Sequence, residues 1–165
     1  SLAKTNRAVK QKYKEGDWFT VPLPGGGYAV GLIARMAAKG RTVPFGYFFG
    51  PRRPEIPTVN EIADLQPLDA ILLKKFGVVD LANGRWSVLG RLPNWDLDKW
   101  RMPSFLRSSI PPDTPLGKSY TYEQDNPFVE VSEIRIPAGQ PLPNFPIDGL
   151  AGSGAIENLL EKILT

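Results

Sequence analysis

The fold is decided near the start of the chain, by two apolar segments on either side of a glycine triplet. They read Gly16-Asp17-Trp18-Phe19-Thr20-Val21-Pro22-Leu23, then Gly25-Gly26-Gly27, then Tyr28-Ala29-Val30-Gly31-Leu32-Ile33-Ala34-Arg35. Aromatic and β-branched residues favour strands, and glycine supplies the positive φ values that a tight turn needs. The stretch therefore predicts a β-hairpin. A phosphate-binding loop would need a helix after the glycines, whereas residues 28–33 are typical of a strand.

Further strands are predicted along the rest of the chain. Residues 43–49 form a third, aromatic-rich strand. Residues 78–81 and 85–89 flank Asn83-Gly84, a dipeptide that is typical of a two-residue hairpin turn. Residues 119–123 and 128–136 predict another pair of strands. The chain is therefore expected to be rich in antiparallel β-structure.

The chain ends in a segment with the period of an amphipathic helix. Within residues 153–164, the apolar side chains recur at helical spacing and define one stripe: Ile156, Leu159, Leu160, Ile163 and Leu164. We expect this stripe to pack on the sheet. The whole pattern predicts an α+β fold: a β-dominated single domain with a strongly bent, mostly antiparallel sheet or partial barrel, short helices and a C-terminal amphipathic helix.

The composition excludes several kinds of chemistry. The 165 residues include no cysteine and no histidine. Disulfides, thiolate zinc sites and a serine–histidine–aspartate triad therefore cannot form. Catalysis would have to rely on carboxylate, lysine, tyrosine or serine–lysine chemistry. We expect no cofactor and no metal.

The positive charge is concentrated at the N-terminus. Of the 20 basic residues, Lys4, Arg7, Lys10, Lys12 and Lys14 precede residue 15, which leaves 15 basic against 17 acidic residues in the remainder. The sequence thus predicts a flexible basic tail at residues 1–15 and a single globular domain at residues 16–165. A tail that binds nucleic acid is an alternative, but a single aromatic residue, Tyr13, offers it little stacking surface. No apolar run reaches the roughly 18 residues of a membrane span, so a cytoplasmic protein with no membrane partner is expected.

Two sets of side chains are candidates for function. The first is acidic: Asp96, Asp98, Asp113, Glu123 and Asp125. The second is the pair Trp95 and Trp100, which flank Asp96 and Asp98 in a polar segment and are the aromatic residues most expected at the surface. Tryptophan is enriched at protein interfaces. The arginines form a further set, which includes Arg35, and most of its members are expected to be ordinary surface charges.

The opening of the chain resembles a known family. The residues that carry the resemblance are Gly16-Asp17, Phe19, Pro22-Leu23, Gly27-Tyr28 and Gly31, followed by the tract Phe45-Gly46-Tyr47-Phe48-Phe49-Gly50-Pro51. They are similar to the immunity protein family numbered twenty-six in bacterial polymorphic toxin systems.

The resemblance implies a non-enzymatic inhibitor that binds and neutralises a cognate toxin protein domain. On that basis we expect Trp95, Asp96, Asp98 and Trp100 to be partner-binding residues, because they share one loop and combine acidic with aromatic groups. The alternative is a homo-oligomeric interaction or structural module without catalytic activity.

Overall fold

The computed structural model describes residues 10–36, 43–108, 117–137 and 139–165. The strands are β1 (Asp17–Pro22), β2 (Tyr28–Arg35), β3 (Phe45–Arg53), β4 (Leu72–Phe76), β5 (Val88–Arg91), β6 (Phe105–Ser108), β7 (Gly117–Glu123), β8 (Asn126–Ile136) and β9 (Leu150–Ala151). The helices are α1 (Val79–Ala82) and α2 (Ser153–Ile163), and short 3-10 turns lie at Val59–Ile62 and Pro67–Asp69.

The strands form two sheets. The larger has the order β5-β1-β2-β3-β4-β9, and the smaller has the order β6-β7-β8. Every pair is antiparallel except β4 with β9. The predicted β-dominated, mostly antiparallel α+β fold is confirmed. Within the described residues the sheets do not close into a barrel.

The predicted opening hairpin is confirmed. β1 and β2 pair from Trp18 opposite Leu32 to Pro22 opposite Tyr28. The turn is closed by a hydrogen bond of 2.9 Å from the amide of Leu23 to the carbonyl of Gly27, whose φ is +75°. The third strand runs to Arg53, beyond its predicted end, because β2 offers it a partner as far as Tyr28.

The central strands are buried on both faces, and successive residues point into two separate cores. Trp18 belongs to one core together with Phe105 and Tyr122 of the smaller sheet. Phe19, the next residue, belongs to the other core, with Leu81 of α1 and Leu160 of α2. This alternation is the period-2 geometry of a strand. The molecule therefore has three layers: the small sheet, the large sheet and the helices.

One glycine of the hairpin makes room for an aromatic ring. Gly31 lies opposite Phe19 in the pairing of β2 with β1. A Cβ atom at Gly31 would lie 2.4 Å from the tip of the Phe19 ring. That ring stacks on Trp86 at 5.7 Å and meets Phe76 at 5.6 Å. The absence of a side chain at residue 31 thus lets the aromatic core approach the sheet.

The hairpin predicted at Asn83-Gly84 is wrong. Residues 79–82 form the single-turn helix α1, and the amide of Asn83 closes it with a bond of 3.0 Å to the carbonyl of Val79. Gly84 has a φ of +83°, so the dipeptide ends a helix instead of joining two strands. β5 pairs with β1 and begins only at Val88.

The predicted C-terminal helix is confirmed as α2. Ile156 and Leu160 are fully buried against the sheet, whereas Leu159 and Ile163 are partly exposed, so the packed stripe is narrower than expected. None of the helices in the described part of the chain is both long and apolar enough to span a membrane.

Part of the segment assigned to the basic tail contacts the fold. The backbone amide of Gln11 donates to the carbonyl of Ala82 at 2.8 Å, and its side chain donates to the carbonyls of Leu81 and Trp86. The side-chain oxygen of Gln11 also accepts from the amide of Val88. The domain boundary at residue 16 stays a prediction, and residues 1–9 lie outside the described residues.

Candidate functional site

The four predicted partner-binding residues lie in the segment that connects β5 to β6, and the structure separates them by exposure. Asp96 and Asp98 are exposed. Trp95 is half-buried against the core shared by the two sheets. Trp100 is buried, with 5% of its surface exposed.

The expected surface display of Trp100 is therefore wrong. Its ring meets Trp18, Tyr47 and Phe49 edge-on, with centroids 5.7, 5.2 and 6.0 Å apart. Burying an indole ring removes a large apolar area from water. Trp100 thus anchors the segment to the large sheet, and it acts beneath the surface that Asp96 and Asp98 form.

Trp95 lies against the backbone of Gly16, the residue before β1. Gly16 has a φ of +91°, and a Cβ atom there would lie 3.0 Å from the indole ring and 2.6 Å from Nε of Arg91. The glycine therefore serves both the turn and the close approach of Trp95. The side chain of Trp95 shares a small depression with Ala63, Leu65 and Lys99.

Arg35 holds this segment in place, a role that the sequence did not reveal. It is 1% exposed, and its guanidinium donates to the carbonyls of Ala34 (2.6 Å), Trp100 (2.7 Å) and Leu97 (2.9 Å). Its Nε also donates to the carbonyl of Gln124, in the turn between β7 and β8. Burial lowers the pKa of Arg35 below its ordinary value. Arg35 is therefore an exception to the expectation that most of the arginines are ordinary surface charges.

Gln124 completes the connection between the two loops. Its side-chain amide donates to the carbonyl of Met102 at 2.8 Å, and its side-chain oxygen accepts from the amide of Met102 at 2.9 Å. Gln124 stands between Glu123 and Asp125, both exposed. The contacts of Arg35 and Gln124 therefore bring two members of the predicted acidic set to the loop that carries two others. Asp113 lies outside the described residues.

These loops and the neighbouring 3-10 turn form an acidic surface, here called the acidic end. Its members are exposed carboxylates: Glu61, Asp64, Asp96, Asp98, Glu123 and Asp125. In the part of the chain that the structure describes, none of them forms an ion pair. Lys99 and Arg101 lie in the same region, so carboxylates remain in excess. Such a surface attracts a basic partner.

A second charged cluster joins the two sheets, and its central carboxylate, Asp148, is engaged by several neighbouring donors. The buried carboxylate of Asp148 accepts from Tyr122 (2.6 Å), from Arg107 (2.8 Å) and from the amide of Gly149 (2.8 Å), and it pairs with Lys75 at 3.1 Å. Burial opposes its ionisation, but these donors together hold the pKa of Asp148 below its usual value. The cluster satisfies itself and stabilises the packing of β4, β6 and β7.

The described residues include no group of three or more acidic side chains arranged to hold a metal ion. The candidate site is a charged surface whose loops are held from below by hydrogen bonds to their backbone carbonyls.

The chain matches the family model described as immunity protein 26 over residues 14–110. The match begins just before Gly16, and it includes β1 to β6, Arg35 and the loop with Trp95, Asp96, Asp98 and Trp100. Searches of curated proteins and of solved structures find no match. Because the matched region is more than half of the chain, this protein belongs to the immunity protein 26 family.

Proposed function

We propose that this protein is a non-enzymatic immunity protein, which acts in the cytoplasm by binding a cognate toxin domain through its acidic end. Membership of the family supports an immunity role in general. The observation that carries the surface assignment is the set of exposed carboxylates that find no ion-pair partner among the described residues, on loops that Arg35 and Gln124 clamp. Preorganised loops lose little entropy on binding.

The charge of the surface defines the partner. Carboxylates steer an oppositely charged protein to its site and suppress partners of like charge. A toxin whose active cleft is basic would meet Asp96 and Asp98 from one loop and Asp125 from the other. Trp95 is half-exposed beside them and supplies apolar contact. Trp100 acts through its burial, by fixing the position of the loop.

The experiment uses the toxin domain encoded next to the gene for this chain. Co-expression of the wild-type chain with that domain is expected to restore growth, and the purified pair is expected to form a complex. Among the described residues, replacing Asp98 by lysine breaks no side-chain hydrogen bond. Replacing Asp96 would break one, because its side chain accepts from the amide of Asp98. Asp98→Lys is therefore the cleaner variant.

We expect Asp98→Lys to weaken the complex at least tenfold, mainly through a slower association rate, and we expect the difference to shrink as salt is added. Glu55→Lys is the matched control, since Glu55 is equally exposed but lies beyond the end of β3. No protection by the wild-type chain would refute the immunity role. Protection with equal affinity for Asp98→Lys and wild type would refute only the assignment of the surface.

A further inference from the structure

We propose that a groove beside β4 binds an extended peptide segment of a partner, one that carries aliphatic side chains and a carboxylate. The groove has a volume of about 760 Å³ and is here called the β4 groove. Its walls come from five parts of the chain and include Leu68, Leu73, Lys74, Phe145, Ile147 and Leu159. It shares no residue with the acidic end, so the inference does not depend on the proposed function.

The rim of the β4 groove carries apolar side chains that the rest of the described chain leaves uncovered. Leu68 is 99% exposed and Ile147 is 56% exposed. Phe145 and Leu159 also lie at the surface, from a loop and from α2. A continuous apolar surface built from separate segments is typical of an interaction site. Leu68 protrudes beyond the groove, which favours a macromolecular partner over a small ligand enclosed within it.

The backbone beside the groove can accept an extended chain. β9 pairs with β4 only at Lys75 and Phe76. Among the described residues, no strand lies beside Leu72–Lys74 on that edge. A free edge is a template for strand addition, in which main-chain hydrogen bonds give affinity and side-chain pockets give specificity.

Lys74 supplies the charge that identifies the partner. Its Nζ lies 3.3 Å from the carbonyl of Ile147. The nearby carboxylate of Asp148 is already shared by Lys75 and Arg107. Lys74 is half-buried, which lowers the pKa of its ammonium group, and it has no ion-pair partner in the described part of the chain. A carboxylate on the bound segment would provide that partner.

The same charge argues against a second copy of this chain as the occupant. If the free β4 edges of two copies paired, Lys74 of one copy would approach Lys74 of the other. Like charges opposite each other destabilise a strand pair, and edge lysines protect sheets from self-association. The groove is therefore suited to an acidic–aliphatic segment of a different protein.

The test selects linear 12-residue peptides from a random phage-displayed library on the immobilised full chain. We expect enriched sequences with alternating aliphatic residues and at least one Asp or Glu. A fluorescein-labelled peptide of the enriched sequence then gives affinities by fluorescence anisotropy. Lys74→Glu should weaken binding of this peptide at least tenfold. When the selection is repeated on this variant, basic residues should be enriched in place of acidic ones.

Two further variants complete the design. Leu68→Ser should also weaken binding of the peptide several-fold. Because Leu68 is almost fully exposed, we expect the substitution to leave folding unchanged. Lys12→Glu is the matched control, because Lys12 lies near Gly90 of β5, at the opposite edge of the large sheet. It should leave the affinity unchanged.

Several results would overturn the proposal. One is the absence of enriched sequences, and another is a peptide that binds the Lys74→Glu and Leu68→Ser variants as tightly as wild type. Enrichment of basic peptides whose binding is lost only in the Asp98→Lys variant would place the binding site at the acidic end instead. Dimerisation of the free chain that Leu68→Ser abolishes would identify a second copy as the occupant.

Discussion

Replacing Arg35 by methionine should destabilise the protein and loosen the acidic end. Methionine keeps much of the apolar stem but removes the local bond to Ala34 and the three bonds that hold the loops, to Leu97, Trp100 and Gln124. Each hydrogen bond to a charged group contributes about 1.5–3 kcal/mol. The three bonds to the loops together contribute about 4.5–9 kcal/mol. Methionine also removes the cost of keeping a cation buried, which offsets several kcal/mol of this sum. We therefore expect a net loss of about 3 kcal/mol in the free energy of unfolding.

The assay is urea unfolding combined with a thermal scan. In a domain of this size, a loss of about 3 kcal/mol lowers the Tm by about 6–12 °C. Arg135→Met is the matched control, since Arg135 is exposed on β8 and should change stability by less than about 0.5 kcal/mol. Hydrogen exchange should show faster opening at residues 94–101 in Arg35→Met alone. Unchanged stability together with unchanged exchange there would refute the clamp.

Two other variants test the packing and the charged cluster. Gly31→Ala should cost about 1–3 kcal/mol in urea unfolding, because its methyl group would overlap the fully buried ring of Phe19; a neutral result would mean that the ring can move. Asp148→Asn should lower the free energy of unfolding at pH 7. It should also make that free energy fall less steeply as the pH is lowered into the acidic range. The lowered pKa of Asp148 means that its contribution is present above the ordinary value of 3.8 and is lost as the pH falls through the folded-state pKa. An equally steep fall for wild type and Asp148→Asn would contradict this assignment.

The elements that the sequence predicted correctly are those specified by local signals. The glycine triplet determines the hairpin of β1 and β2, and the i, i+3, i+4 spacing of apolar residues determines α2. The prediction at Asn83-Gly84 failed because a glycine with positive φ occurs both in hairpin turns and at the ends of helices. The choice between them depends on the backbone bond from Asn83 to Val79, which the dipeptide does not encode.

The candidate site was only partly predictable, for a different reason. Asp96 and Asp98 could be placed on a polar loop because their neighbours include proline and asparagine. The burial of Trp100 is decided by contacts with Trp18, Tyr47 and Phe49, all more than fifty residues away. Arg35 ends a strand and resembles a solvent-facing charge until the loops fold over it. Long-range contacts of this kind leave no local signal.

The position of α2 in the chain has a consequence for the timing of synthesis. Ile156 and Leu160 cover the aromatic face formed by Phe19, Phe48 and Phe76, yet about 50 residues separate them from Ser108 at the end of β6. At the ordinary rate of translation, that interval lasts about 3–10 s. During it the growing polypeptide displays an uncovered aromatic surface. A nascent chain of this protein is therefore a candidate client for ribosome-associated chaperones until its last helix emerges.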